Sequence, residues 1–387
     1  MSDTARGLLL NLSFSGGQYR EMPKKEWIGV FERNVFDEYK LYCEQRFVLG
    51  DFEGFTSGDH HYFFVAVDDV KDEEVKEMIQ MANHLRAYGD YEVATFVPTK
   101  MNTITGFIDG QNCVMFQLPQ YFSRSKKDQS IGYQLALQHQ GGKSYPQGKK
   151  DYHSWSQFWI NRLSQLDVLY ADLTKRERKS SFDQAFMLSF PYYLGRTENA
   201  IQYIVDSDLD FGKQSGNEPK TICHYKFSPR TWLTIDHETL ATVKSPTDFV
   251  YDHPSRDLAE WMRQIMNNEE NPVSKINQFL TDYESVEPIS PKAWRYIYGR
   301  LLFPIEYFQI VEGYYRSVNE DEARDYTNQL FDLFQTERQT EQFLRTFHSK
   351  VVPSNWQPYV PEVDWLKNFK STNLRPNQYF FKSDERR

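Results

Sequence analysis

The sequence predicts an α+β protein in two parts: a small antiparallel sheet carrying one helix, then a larger and mainly helical region. Three observations predict it. Between residues 47 and 118, short aromatic-rich runs alternate with Gly-Asp turns, the pattern of strands joined as hairpins. Inside that region Val75, Met78, Ile79, Ala82 and Leu85 instead fall at helical spacing. After Pro119 the apolar period is helical for most of the remaining chain, interrupted by strand-like residues near 221–251.

Taken in order, residues 1–27 read as an extension without periodicity, containing Gly16-Gly17 and the charged run Lys24-Lys25-Glu26. A short helix is expected over Gly29–Gln45. Strands follow at Phe47–Leu49, Phe52–Phe55 and His61–Val67, separated by Gly50-Asp51 and by Thr56-Ser57-Gly58-Asp59. Asp72 offers a helix N-cap, with Glu73 and Glu74 in the first turn where the helix dipole favours anions, and Gly89 ends that helix. Val93–Pro98, Ile104–Ile108 and Cys113–Leu118 complete the sheet, with Asp109-Gly110 as a turn.

Beyond Phe116–Pro119, which joins the two parts, Ser130–His139 reads as a helix closed by Gly141-Gly142. Trp155, Phe158, Trp159, Leu163 and Leu166 recur at helical spacing. Pro191 kinks or divides the helical segment Phe182–Asp206. Strands are expected at Thr221–Phe227, Trp232–Leu240 and Phe249–Tyr251. Ser255 caps a helix, Ser290-Pro291 starts another with Pro at its first position, and a long one runs over Asp321–His348. The proline-rich tail Val352–Val363 is expected on the surface. This gives a sheet-rich N-lobe over 28–118 and a helical C-lobe over 119–387, the plan of a bilobal protein-kinase-like fold.

The 387 residues are 40% hydrophobic, 26% charged and 16% aromatic, which places the chain among folded proteins. Aromatics at that level fit either an aromatic-rich core or a surface that docks onto other proteins. A net charge of −9 argues against nucleic acid or anionic membrane as main partner. The basic runs Lys143–Lys150 and Lys175–Lys179 read as solvated loop or helix ends. Cys43, Cys113 and Cys223 form neither a disulfide framework nor zinc spacing, as expected of a reducing compartment. No apolar run approaches the ~20 residues of a membrane span, and Leu8–Leu12 lacks the flanks of a signal peptide, so a cytoplasmic site of synthesis is expected.

The stretch Thr221–Trp232, TICHYKFSPRTW, resembles the catalytic loop of aminoglycoside-phosphotransferase-like kinases, which carry His-Gly-Asp, four residues, then Asn. His224 stands for the His, Tyr225 for the Gly, Lys226 for the Asp and Thr231 for the Asn. Thr247–Arg263, TDFVYDHPSRDLAEWMR, resembles the metal-binding Asp segment and the Asp-Leu-Ala that opens the next helix. Asp257 is that helix Asp, and Asp248 or Asp252 the metal Asp. Gly50–Gly58, Glu92–Thr99, VYDHPSRDLAEW and Arg300–Tyr315 (RLLFPIEYFQIVEGYY) are similar to the spore coat-associated kinase-like proteins of the CotS/YutH type. Together those segments span roughly Tyr39–Tyr315, most of the chain.

Phosphoryl transfer needs an acid-loop carboxylate at the substrate hydroxyl, a strand Lys on the α/β-phosphates and side-chain oxygens on Mg²⁺. An ammonium at Lys226 has no lone pair to take a proton unless burial lowers its pKa. The strand Tyr62–Val67 has no Lys, so Glu74 and Glu77 are expected to face solvent, and Gly50–Gly58 lacks the Gly-x-Gly-x-x-Gly spacing. Thr231 reads as a locally bonded hydroxyl or a weak metal ligand. His60-His61 lie on opposite strand faces and make no metal pair.

The resemblance therefore implies three readings. The first is a degenerate kinase fold used structurally in the endospore coat, with other coat proteins as partners and synthesis in the mother cell. The second is an atypical phosphotransferase. The third is a pseudokinase that binds nucleotide without chemistry. Only the last two call for ATP and Mg²⁺, with Phe116, Gln117 and Leu118 meeting the adenine through backbone groups. In all three, Asp257 is expected to brace the loop through His224.

Overall fold

Alternation in the first third of the chain folds as a single antiparallel sheet. Its strands are β1 (Tyr19–Glu21), β2 (Gln45–Leu49), β3 (Phe52–Ser57), β4 (His60–Ala66), β5 (Thr95–Val97), β6 (Gly106–Ile108) and β7 (Gln111–Gln117). They lie in the order β1-β2-β3-β4-β7-β5, with β6 also paired to β7. The outermost strands of that path, β1 and β5, are three residues each. Gly50, Gly58 and the pair Asp109-Gly110 have positive φ, the backbone shape that two-residue hairpins need. Gly54 is required for another reason: a Cβ there would collide with the Phe47 ring and the Tyr62 carbonyl.

The computed structural model describes residues 19–21, 29–68, 70–119, 130–146, 154–212, 218–229, 231–236 and 241–367. The expected extension over 1–27 thus lies outside the described residues apart from Tyr19–Glu21.

The two faces of the sheet are buried differently. On one, Tyr62, Phe64, Met115 and Cys113 pack with Phe31, Val35 and Tyr39 of helix α1 (Val30–Tyr39). On the other, Phe47, Phe63, Val65, Val114, Phe116 and Leu118 pack with Val75 and Ile79 of α2 (Asp72–Ala87). Period two sends alternate residues to opposite faces, so one aromatic strand, β4, feeds both cores. Helix α2 begins at Asp72, with Lys71 rather than Asp72 in the cap position. Glu74 departs from expectation: it is 7% exposed, because the first turn of α2 turns that position inward.

Cα proximity groups the chain into two compact units. The first comprises Met1–Gly148, Glu218–Trp261 and Gln278–Pro288. Besides the sheet it holds α3 (Ile131–Gly142), the antiparallel pairs β8 (Thr221–His224) with β11 (Phe249–Asp252) and β9 (Trp232–Asp236) with β10 (Ala241–Lys244), and the start of α6 (Ser255–Asn268). The last turns of α7 (Pro272–Glu284) belong to it as well. Gly141-Gly142 lie inside the end of α3 instead of beyond it. A Cβ at Gly142 would strike Thr221 Oγ1 and the Ile222 amide, so the glycine lets α3 lie directly on β8.

The second unit comprises Lys149–Asn217, Met262–Asn277 and Ile289–Arg387. It contains α4 (Trp155–Lys175), α5 (Ser181–Phe211), α8 (Pro291–Leu302), α9 (Ile305–Tyr314), α10 (Glu320–Lys350) and α11 (Asp364–Lys367). Pro191 does not divide α5, which runs unbroken through it. Ser290 caps α8 by accepting from the Ala293 amide, with Pro291 next. Aromatic pairs hold the unit: Trp159 on Phe303 at 4.4 Å, Tyr193 on Tyr307 at 3.7 Å and Phe182 on Tyr314 at 3.7 Å between ring centroids. The tail is less superficial than its prolines imply. Val352, Val360 and Val363 are buried, and the Pro361 carbonyl accepts from Tyr203 Oη.

Candidate degenerate catalytic loop

The loop after β8 is built on a buried carboxylate. Asp257, in the first turn of α6, is fully buried and accepts from three donors. The His224 backbone amide lies 2.9 and 3.2 Å from its two oxygens, His224 Nδ1 at 2.8 Å and His139 Nε2 at 3.1 Å. Trp232 Nε1, which can only donate, points at His224 Nε2 across 3.1 Å. Nε2 must therefore accept, and the proton of His224 sits on Nδ1, facing Asp257. Tyr283 Oη lies 2.8 Å from His139 Nδ1. The Asp257 carboxylate only accepts, so His139, kept neutral by burial, donates from Nε2 and accepts at Nδ1 from the Tyr283 hydroxyl, which burial holds protonated by raising it well above its ordinary range.

The charges agree with this assignment. Burial pushes the Asp257 carboxyl up, but His224 and His139 more than offset that and hold it well below the usual carboxylate range. Burial lowers His139 against the opposing pull of Asp257. The result is a closed line of bonds, Trp232 to His224 to Asp257 and Tyr283 to His139 to Asp257. His139, Cys223 and Asp257 also bring ligand atoms within 4.8 Å of one another. Both ring nitrogens of His139 are already committed, so the trio offers a metal no imidazole lone pair.

The loop positions follow. Lys226 is half-buried, and its amide donates to Asp248 Oδ2 at 3.1 Å, while the Tyr225 amide donates to the Asp248 carbonyl at 2.7 Å. Thr231 is buried; its hydroxyl donates to the Ser228 carbonyl at 2.8 Å. Asp252 accepts from its neighbour His253's amide at 2.7 Å and from Arg256 Nε at 2.6 Å. Arg256 also donates to the Tyr225 carbonyl at 3.3 Å, and its guanidinium lies 5.6 Å from the Tyr225 ring centroid. Burial would lower the Arg256 pKa, but Asp252 outweighs it and the group stays charged. The Ser245 amide donates to the Thr231 carbonyl at 3.2 Å.

Phe116 and Gln117 are paired on both sides, with β4 and with β5, and the Leu118 amide donates to the His61 carbonyl at 2.9 Å. The Phe116 and Leu118 side chains belong to the same apolar cluster as Leu233 of β9 and Val243 of β10. Gln117 Nε2 meets His60 Nδ1 at 3.0 Å.

Sequence reasoning reached His224 and Asp257 but missed His139, Tyr283, Trp232, Arg256 and Ser245. The Asp252/Arg256 pair had a readable signal, opposite charges four apart at a helix start. His139 and Tyr283 are brought to Asp257 from other helices, and no spacing announces them.

A sheet with a helix on each face, and a His-bearing strand braced on the first turn of a later helix, define a kinase-like fold of the small-molecule phosphotransferase kind. Solved structures agree. An aminoglycoside phosphotransferase from Alicyclobacillus acidocaldarius superposes with a TM-score of 0.62 at 17% identity, covering 85% of this chain and 98% of that one. A spectinomycin phosphotransferase bound to ADP and spectinomycin gives 0.51 at 13% identity, over 85% and 95% of the two chains. At those identities the likeness is one of fold. The chain belongs to the spore coat putative kinase YutH family, whose pattern matches residues 32–347. It is 34% identical over 320 residues to the endospore coat-associated protein YutH of Bacillus subtilis, covering 81% of this chain and 91% of that protein.

Proposed function

We propose that this chain is an endospore coat-associated protein whose kinase-like fold serves coat assembly as a scaffold and transfers no phosphate. The observation that carries the reading is the loop position 226: a Lys stands where phosphoryl transfer needs a carboxylate. The oxygens around it support the same reading. Asp248 is bonded to the Lys226 amide, Asp252 to Arg256, and the Thr231 hydroxyl to a local carbonyl. Such a set fits Mg²⁺ poorly, since the ion needs near-octahedral oxygen ligands and here meets a guanidinium already in place. Among the described residues the strand His60–Ala66 carries no Lys to hold phosphates.

The backbone of residues 116–118 is engaged within the sheet, and Pro119 has no N–H. Phe116, Leu118, Leu233 and Val243 pack together where an adenine would have to enter. The relative's coat association, synthesis in the mother cell, coat proteins as partners and a lobe boundary near 118 are all part of this proposal. The test is thermal unfolding with and without millimolar ATP–Mg²⁺. A ligand at a hundredfold excess over its Kd stabilises by about 2.7 kcal/mol, which moves the midpoint by about 2 °C or more. No shift is expected. A shift abolished by Asp248→Ala or Asp252→Ala would replace the scaffold by a nucleotide-binding pseudokinase, and labelled-phosphate transfer would replace both. Loss of the gene is expected to change coat composition; an unaltered coat would sink the scaffold reading.

A further inference from the structure

Lys244, the last residue of β10, is 3% exposed, and its Nζ lies 2.6 Å from Asp90 Oδ2. Asp90 belongs to the turn after α2, which leads into the segment 92–94. The main chain of Lys244 is bonded to that same segment. Its amide donates to the Glu92 carbonyl at 2.9 Å, and its carbonyl accepts from the Ala94 amide at 3.0 Å, a parallel bridge opposite Val93. The ammonium also lies 4.5 Å from the centroid of the Trp232 ring, and the indole N–H of that ring fixes the acceptor nitrogen of His224.

We propose that Lys244 is a built-in cation that couples the 90–94 segment to the degenerate loop, holding His224 and its neighbours in place. Three kinds of contact converge on this residue. The ion pair fixes its head to Asp90, and the two backbone bonds fix its main chain to residues 92 and 94. The ring of Trp232 passes the constraint on to His224, and through His224 to Asp257. A buried ammonium is tolerated only when paired, so loss of Asp90 removes the reason for the side chain to stay in place. A cation held over an indole face also restricts the ring that it covers. Val93 packs in the apolar cluster with Leu85, Ile222 and Phe249, so the segment joins β8 and β11 by its side chain as well. This coupling goes beyond the scaffold reading and stands apart from it: it concerns contacts within the first unit, and a nucleotide shift would leave it untouched.

The experiment is amide hydrogen exchange on the full chain, comparing wild type with Lys244→Met, Asp90→Asn and the double variant. Peptides over 90–95 and 221–233 are read against a reference peptide over 340–350 in α10. Each single variant is expected to raise exchange in both test peptides on the order of tenfold or more, with the reference unchanged. The double variant is expected to do no more than the stronger single one, because both remove the same pair. Trp232→Phe keeps an aromatic face but loses the pyrrole half of the indole, its N–H included. It is expected to release 221–233 while leaving 90–95 protected, and it keeps the test decisive if Lys244→Met fails to fold. Faster exchange at 90–95 alone in Asp90→Asn, no change at either peptide, or an equal rise in the reference peptide would overturn the coupling.

Discussion

Replacing Asp257 by Asn changes one oxygen into an NH₂ group and leaves the shape of the side chain intact. The retained oxygen can still accept from the His224 amide, which lies 2.9 Å from Oδ1. The new NH₂ then faces two ring N–H groups, those of His224 Nδ1 and His139 Nε2. His139 has an escape: it can move its proton to Nδ1 and donate to Tyr283 Oη, which is able to accept. His224 has none, because the Trp232 indole N–H holds its Nε2 as acceptor. One buried donor is thus left facing a donor, at about 1–3 kcal/mol, and the loss of a buried charge interaction adds to it. We expect Asp257→Asn to destabilise the first unit by about 3 kcal/mol, measured by urea unfolding and read on that unit's own transition, since two compact units need not unfold together. Trp232→Phe should free His224 to change tautomer. The double variant should therefore cost about 1 kcal/mol less than the sum of the singles. A loss below about 1 kcal/mol for Asp257→Asn, or strict additivity with Trp232→Phe, would refute the assigned proton positions.

Arg256→Met removes the guanidinium from Asp252 and should cost about 2–3 kcal/mol in the same assay, whereas a loss near zero would mean the pair is screened. Acidification should destabilise the first unit in two stages. The His139 pKa is lowered on folding, so its contribution is complete above about pH 6.5 and is lost as pH falls through the folded value; Asp257, also lowered, adds a loss that begins below about pH 4. A pH titration of stability that is flat between pH 7 and 5 and in which His139→Gln changes nothing would contradict the first stage. In the second unit, Phe303→Ala removes the ring stacked on Trp159 and should cost about 3–5 kcal/mol. Calorimetry on that variant should show the second unit's transition lowered; an unchanged transition would mean the stack is dispensable.

The parts of this fold that were legible in the sequence are those where a local pattern repeats. Strands β2, β3, β4 and β7 and helix α2 follow from period two, period 3.6 and the turn residues between them. His224 and Asp257 were legible because a short motif carries both the strand end and the helix start. What failed was whatever depends on a distant neighbour. Glu74 sits at a first-turn position that reads as solvent-facing, yet the helix is rotated so that this residue goes inward. The prolines of 353–361 suggested a surface tail, but Val360 among them and Val352 and Val363 on either side are buried. The segment Arg300–Tyr315, among the most specific family resemblances, turns out to consist largely of core contacts. Phe303, Tyr307 and Tyr314 stack on Trp159, Tyr193 and Phe182, and Glu312 is held by Arg162 at 2.7 Å. Its distinctiveness is thus accounted for by internal fit.

The three-residue strands that bound the N-terminal sheet have a consequence for how copies of this protein can meet. A long unpaired strand is a template onto which another chain can add hydrogen bonds without limit. Here β1 and β5 are only three residues each, and the aromatic strand β4 is enclosed by β3 and β7. Crowding such molecules in a dense layer therefore carries little risk of runaway strand exchange. Cohesion between neighbours would have to come from side-chain surfaces, which can be specific, saturable and reversible.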